Sequence, residues 1–173
     1  MTDKNLKHRR FIKALRRGAR GQALIELAIT MPLLILLLGG AVELGMATYA
    51  AIEVSNAAKA AVQYAASGGG ANVTFSSSAQ PTLDSTGMLT AANADAFNLP
   101  TTSPITFSTG YPTAQCSCSN GVGTSTCYSG DCPGAQIEET ITVKTQVTFT
   151  PGLHVAGMSS FTLHGYAQQK VLQ

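Results

Sequence analysis

The sequence predicts an α+β protein in which a long N-terminal transmembrane and spine α-helix packs, at its C-terminal half, on a small antiparallel β-sheet head with a disulfide-containing loop. Three observations predict it: an apolar run of membrane length behind a basic arm, a helical period that outlasts this run, and two period-two segments near the C-terminus.

The basic arm comes first. Lys4, Lys7, Arg9, Arg10, Lys13, Arg16, Arg17 and Arg20 all precede Gly21 and are opposed only by Asp3, whereas beyond Gly21 the acids outnumber the lysines. The formal net charge of +2 hides this asymmetry. A uniformly basic protein would point to nucleic acid. A short basic arm abutting an apolar run is instead a topology signal, with the arm in the cytoplasm and the remainder outside.

The apolar run covers residues 23–42, ALIELAITMPLLILLLGGAV. About 20 residues of helix at ~1.5 Å each span the ~30 Å hydrocarbon core of a bilayer. Glu26 opposes insertion by about 2.5–3.5 kcal/mol at mid-bilayer, and less near an interface. The ten Leu and Ile residues of the run each return about 0.3–0.6 kcal/mol, which matches or exceeds that cost. Insertion survives the acid, and the acid requires a partner or a function.

Past residue 42 the helical reading continues without proline. Leu44, Ala47, Ala51, Val54, Ala58, Ala61, Val62 and Ala65 recur at or beside steps of three and four, and Glu53, Asn56, Lys59 and Gln63 mark a polar side. The expectation is one helix over residues 22–66, with 22–42 in the membrane and 43–66 as an exported spine. Pro32 removes one backbone hydrogen bond and bends it. Gly39, Gly40 and Gly45 each lower helicity by about 1 kcal/mol relative to Ala while permitting close helix packing in a membrane. The SGGG at 67–70 ends the helix. This divides the chain into a leader over 1–21, the helix over 22–66 and an exported head over 71–173.

Within the head, residues 71–112 are rich in Ser, Thr, Ala and Asn and show no strong period; a short helix over 90–97 is the element they allow. In residues 138–150, Ile141, Val143, Thr145, Val147 and Phe149 alternate with Thr140, Thr142, Lys144, Gln146 and Thr148, which is the pattern of a half-buried strand. After a turn at Pro151 and Gly152, a second strand over 160–171 puts Phe161, Leu163, Gly165 and Ala167 on one side. The two are expected to pair antiparallel against the spine.

Four cysteines, Cys116, Cys118, Cys127 and Cys132, cluster in a Ser-, Gly- and Thr-rich segment. Outside a membrane, an even clustered count favours two disulfides. Zinc is the competing reading, although its paired cysteines usually have two to four residues between them and Cys116 and Cys118 have one. The short loop disfavours a Cys116–Cys118 bond, leaving a crossing and a nested pairing.

Around Gly21 the string RGQALIELAITMPLLILL resembles prepilin-type signals, and more closely the TadE-like pilins of tight-adherence (Tad) pilus systems. The resemblance continues through ELGMATYAAIEVSNAAKAAVQYAA and returns in VTFTPGLHVAGMSSFTLHGYA. It implies that a prepilin peptidase cuts after Gly21, leaving Gln22 as the mature start and Glu26 as the fifth residue. It also implies a minor pilin or pseudopilin in the bacterial inner membrane, N-terminus cytoplasmic, that is incorporated into a surface pilus. The expected partners are the membrane, that peptidase, other pilin subunits through the N-terminal helix, and the Tad assembly machinery. The physical reading agrees. An amine freed at Gln22 adds charge to a helix end already positive through its dipole, and Glu26 lies one turn away or reaches the amine of a neighbouring subunit. The alternative is an uncleaved single-pass inner-membrane protein with a disulfide-stapled binding module.

Several lookalikes are set aside. Arg9 to Lys13 approximates a twin-arginine signal, but Phe11 follows the arginine pair directly. An ordinary secretory signal has a shorter apolar run than this. The sequon at Asn72 carries no weight in a protein of bacterial character. His154 and His164 fall in a turn and a strand, as surface or packing residues. No Ser-His-acid set has a motif around it, and the sequence contains no Gly-rich phosphate loop, metal box or paired catalytic carboxylates. The expectation is no enzyme, no cofactor, no metal and no nucleic acid.

Overall fold

The computed structural model describes the backbone of residues 3–67, 73–76, 79–96, 98–99, 103–123, 127, 132–152 and 159–172, with side chains from residue 21 to 67 and from residue 81 onward, Leu172 excepted. The leader side chains, Gly68 to Gly70, Asn72, Phe97 and His154 lie outside the described residues. The chain divides into two units, Met1–Leu44 and Gly45–Gln173.

The first unit is helical. Helix α1 covers Asp3–Ser67, so its C-terminal end falls within a residue of the expected 66, while its N-terminal end lies well upstream of the expected Gln22. Leu, Lys, Arg and Ala are good helix formers, and two isolated glycines, Gly18 and Gly21, do not interrupt the leader. Pro32 also lies inside α1.

In the second unit a hairpin of β1 (Val73–Ser76) and β2 (Ala79–Leu83) leads into α2 (Ser85–Asp95), followed by β3 (Thr106–Phe107), β4 (Thr113–Cys118), β5 (Ile137–Phe149) and β6 (Phe161–Leu172). The two expected strands are found within a residue of their bounds, and they pair antiparallel in unbroken register from Glu138↔Leu172 to Phe149↔Phe161. Since β6 occupies one edge of β5 throughout, β3 and β4 share the other, at Thr106↔Gln146 and at Thr113↔Thr142 to Cys118↔Ile137.

The short helix starts at Ser85, earlier than the expected 90, because Asp84 caps it. The Asp84 carboxylate accepts the Gly87 N–H at 3.0 Å and the Tyr64 hydroxyl at 3.1 Å, the first being the N-cap bond to the third helical residue. A Cβ at Gly87 would collide with both the Tyr64 hydroxyl and the Asp84 carboxylate. The Gly87 bond first, then Tyr64, holds the Asp84 carboxyl below its ordinary value. At the far end of α2, Asn93 accepts the Ile105 N–H at 3.0 Å and donates to the Leu89 carbonyl at 2.9 Å, tying α2 to the chain entering β3.

The core lies between α1 and the sheet. Val54, Ala57, Ala58, Ala61, Val62 and Ala65 of α1 meet Ile141, Val143, Val147 and Ala167, with Met88 and Ala92 of α2 closing one side. Alanines bring the helix backbone close to the sheet. The Thr145 hydroxyl, fully buried, donates to the Val54 carbonyl at 2.8 Å, and Gly165, opposite Thr145 in register, supplies the space. A Cβ at Gly165 would collide with the Val54 carbonyl oxygen and the Thr145 hydroxyl.

Gly165→Ala is therefore expected to destabilise the head by about 1–3 kcal/mol, the usual cost of overpacking. Gly123→Ala, where an added Cβ meets nothing within 4 Å, should stay within about 0.5 kcal/mol of the parent. Thermal unfolding followed by near-ultraviolet circular dichroism separates the two.

Candidate functional site

Two places carry the residues singled out from the sequence: the start of the apolar helix and the cysteine cluster of the sheet. Gly21, Gln22 and Glu26 lie on α1 and are exposed. Residues 22 and 26, one turn apart, share a face, and the Gln22 side-chain amide donates to Glu26 Oε1 at 3.3 Å. One turn further on, the Thr30 hydroxyl donates to the Glu26 carbonyl at 2.9 Å. The carboxylate thus already faces the first residue after Gly21, where a cut would create an amine.

From Gly21 to Leu38 every residue is exposed; Leu24 and Leu38 are each 67 % accessible. A helix that is apolar all round is covered by lipid or by other helices. The helix from Gly21 to Ser67 is long and apolar enough to cross a membrane, as single-pass anchoring near the N-terminus requires.

The cysteines form two disulfides, Cys116–Cys127 and Cys118–Cys132, each with 5.4 Å between Cα atoms. The pairing is the crossing one. Cys116 and Cys118 are both on the inner face of β4, opposite Glu139 and Ile137 of β5. Together with Ile137 and Cys132 they make a small second core. Sequence reading missed β4 itself, although the alternation of TAQCSC, with Ala114, Cys116 and Cys118 inward, was available to find it. Among the described residues no cluster of His, Cys, Asp and Glu could hold a metal ion.

Glu139 was also missed. It occupies an inward position of β5, is 1 % exposed, and its Oε1 has no hydrogen-bond partner. Its cross-strand neighbours are Cys116 and Val171, neither of them able to compensate a charge. Burial pushes its carboxyl above the ordinary value, because removal from water disfavours the ionised form. His164 is exposed on β6, its Nδ1 3.4 Å from the Ser108 hydroxyl, in keeping with a surface role.

Residues 21–63 match the family model described as TadE-like protein. The resemblance read around Gly21 thus holds over the apolar helix and its continuation, and in that part the chain is similar to TadE-like proteins. No curated protein and no solved structure matches the chain.

Two outcomes are expected for the head. Peptide mapping without reductant should recover Cys116 joined to Cys127 and Cys118 joined to Cys132, with no free thiol. Stability should also depend on pH through Glu139. A carboxyl whose pKa is raised on folding holds its proton more tightly in the native state, so its contribution is complete below the unfolded value near 4.5 and is lost as pH rises through the folded one. Glu139→Gln should remove that decline from denaturation midpoints measured across the acid range.

Proposed function

We propose that the protein is a minor pilin or pseudopilin of a Tad-type pilus. Its leader, residues 1–21, stays in the cytoplasm, residues 22–42 cross the inner membrane, and the spine over 43–66 and the head over 71–173 face outward. A prepilin peptidase cuts between Gly21 and Gln22. The processed chain then leaves the bilayer by packing its helix against those of other subunits, under the Tad assembly machinery. In this reading the protein is a structural subunit and carries out no catalysis.

One observation carries the proposal: the apolar stretch of residues 22–42, within the segment that matches the TadE-like family model, bears a single acid, Glu26, one turn from the residue that cleavage would make N-terminal. In hydrocarbon a lone carboxylate is costly and calls for a partner. The amine of Gln22, in the same chain or a neighbour, supplies an opposite charge, and matching the pair neutralises both when helices pack away from water. The basic arm before Gly21 supports the inward orientation of the N-terminus. The head, joined beyond the helix, is left free for contacts at the surface of an assembly.

Amino-terminal sequencing of the membrane-purified protein should begin at Gln22. An intact Met1, or a start beyond Val42, contradicts the proposal and favours the permanently anchored binding module. Glu26→Ala should leave membrane insertion unchanged and abolish release of the protein with sheared surface fibres, whereas a simple anchor would lose nothing.

A further inference from the structure

The outer face of the four-stranded sheet holds a cleft of about 620 Å³, floored by β4, β5 and β6 and bounded on one side by Gly123. Thr113, Gln115, Ser117, Thr140 and Gln168 line it. Each of these side chains offers both a donor and an acceptor, and none is charged. Among the described residues the side chains of Thr113, Gln115, Ser117 and Thr140 form no hydrogen bond. Gln168 only accepts a long one, 3.5 Å, from the Tyr166 hydroxyl. The charged groups nearest in register, Glu138 and Lys170, are bonded to each other at 3.0 Å.

We propose that this cleft binds a neutral saccharide. The lining excludes the other ligand classes in turn. An anion would need a free cation and a metal ion a free carboxylate, and the described residues of the lining include neither. An extended peptide seeks a row of pockets for its alternate side chains, while the side chains lining this cleft stand together on the sheet face, from Gln115 and Ser117 of β4 across Thr140 of β5 to Gln168 of β6. Vicinal hydroxyls, each a donor and an acceptor, match a row of amides and hydroxyls that have kept their hydrogen-bonding capacity unspent. Tyr166, 57 % exposed and two residues along β6 from Gln168, adds an aromatic surface with an apolar body and a polar tip, against which a sugar ring can lie.

Cys116 lies in the lining and is bonded to Cys127, and Cys118 two residues on is bonded to Cys132. The strand that carries Gln115 and Ser117 is therefore pinned from its inner side, and little ordering is lost on binding. Gly123 is part of the lining, and a Cβ added there meets nothing within 4 Å, so a larger side chain is accommodated beside the cleft. The inference concerns the head alone and holds whether or not the chain is assembled into a fibre.

The test uses the full chain in phosphatidylcholine nanodiscs, titrated by calorimetry with neutral tetrasaccharides of glucose, mannose, galactose and N-acetylglucosamine, and with a uronic-acid tetrasaccharide. At least one neutral member should bind with a Kd below about 1 mM, and the acidic one should not. Gly123→Phe, which fills the entrance, should weaken binding at least tenfold, and Thr148→Ala, on the same face outside the cleft, should leave it unchanged. If Gly123→Phe loses its near-ultraviolet signal, the double variant Gln115→Ala/Gln168→Ala carries the same tenfold expectation. The proposal is overturned by failure of every neutral member to bind, by equal binding of the uronic-acid member, or by full affinity in the blocking variant.

Discussion

The head depends on one close approach, that of the α1 backbone at Val54 to the β5–β6 ladder at Thr145 and Gly165. A helix backbone this near a sheet requires small residues on both sides, and both sides supply them: alanines along the buried face of α1, and a glycine opposite the threonine. A buried hydroxyl without a partner would cost on the order of 1–3 kcal/mol; Thr145 avoids this by donating to the helix. The same bond sets where the helix sits along the strand pair, so the placement of Ala57, Ala61 and Ala65 over the sheet follows from it.

Around this contact the rest of the head is held by local devices. Asp84 starts α2 and takes the Tyr64 hydroxyl, linking the second helix to the first. Asn93 fixes the chain before β3. The crossing disulfides hold β4 where apolar burial is thin, and closing loops of their size contributes roughly 3 kcal/mol each in the chain-entropy model. Glu139 runs against this economy, being an inward carboxylate with an unpartnered oxygen beside Cys116. Its neutral form is the one that its surroundings tolerate.

The apolar N-terminal stretch of α1 obeys a different rule. Over residues 21–38 no protein surface covers its side chains, so its stability comes from its own backbone bonds and from whatever apolar medium surrounds it. Glu26 is the exception to that medium, and its carboxylate accepts the Gln22 side-chain amide.

Much of this was legible in the amino-acid order, because the signals are local. A run of leucine and isoleucine, a basic arm, the alternation along residues 138–150 and the SGGG breaker each act within a few residues. The helix end, both long strands and their inward faces therefore came out within a residue or so. The sequence likewise favoured disulfide pairing of the four clustered cysteines over zinc binding. Only the tertiary structure decided that they cross, that TAQCSC lies against β5, and that Gly165 is the point of contact with the helix. These features depend on which segments lie side by side, and pairing across 91 residues, as between Val54 and Thr145, leaves no mark in the spacing of either.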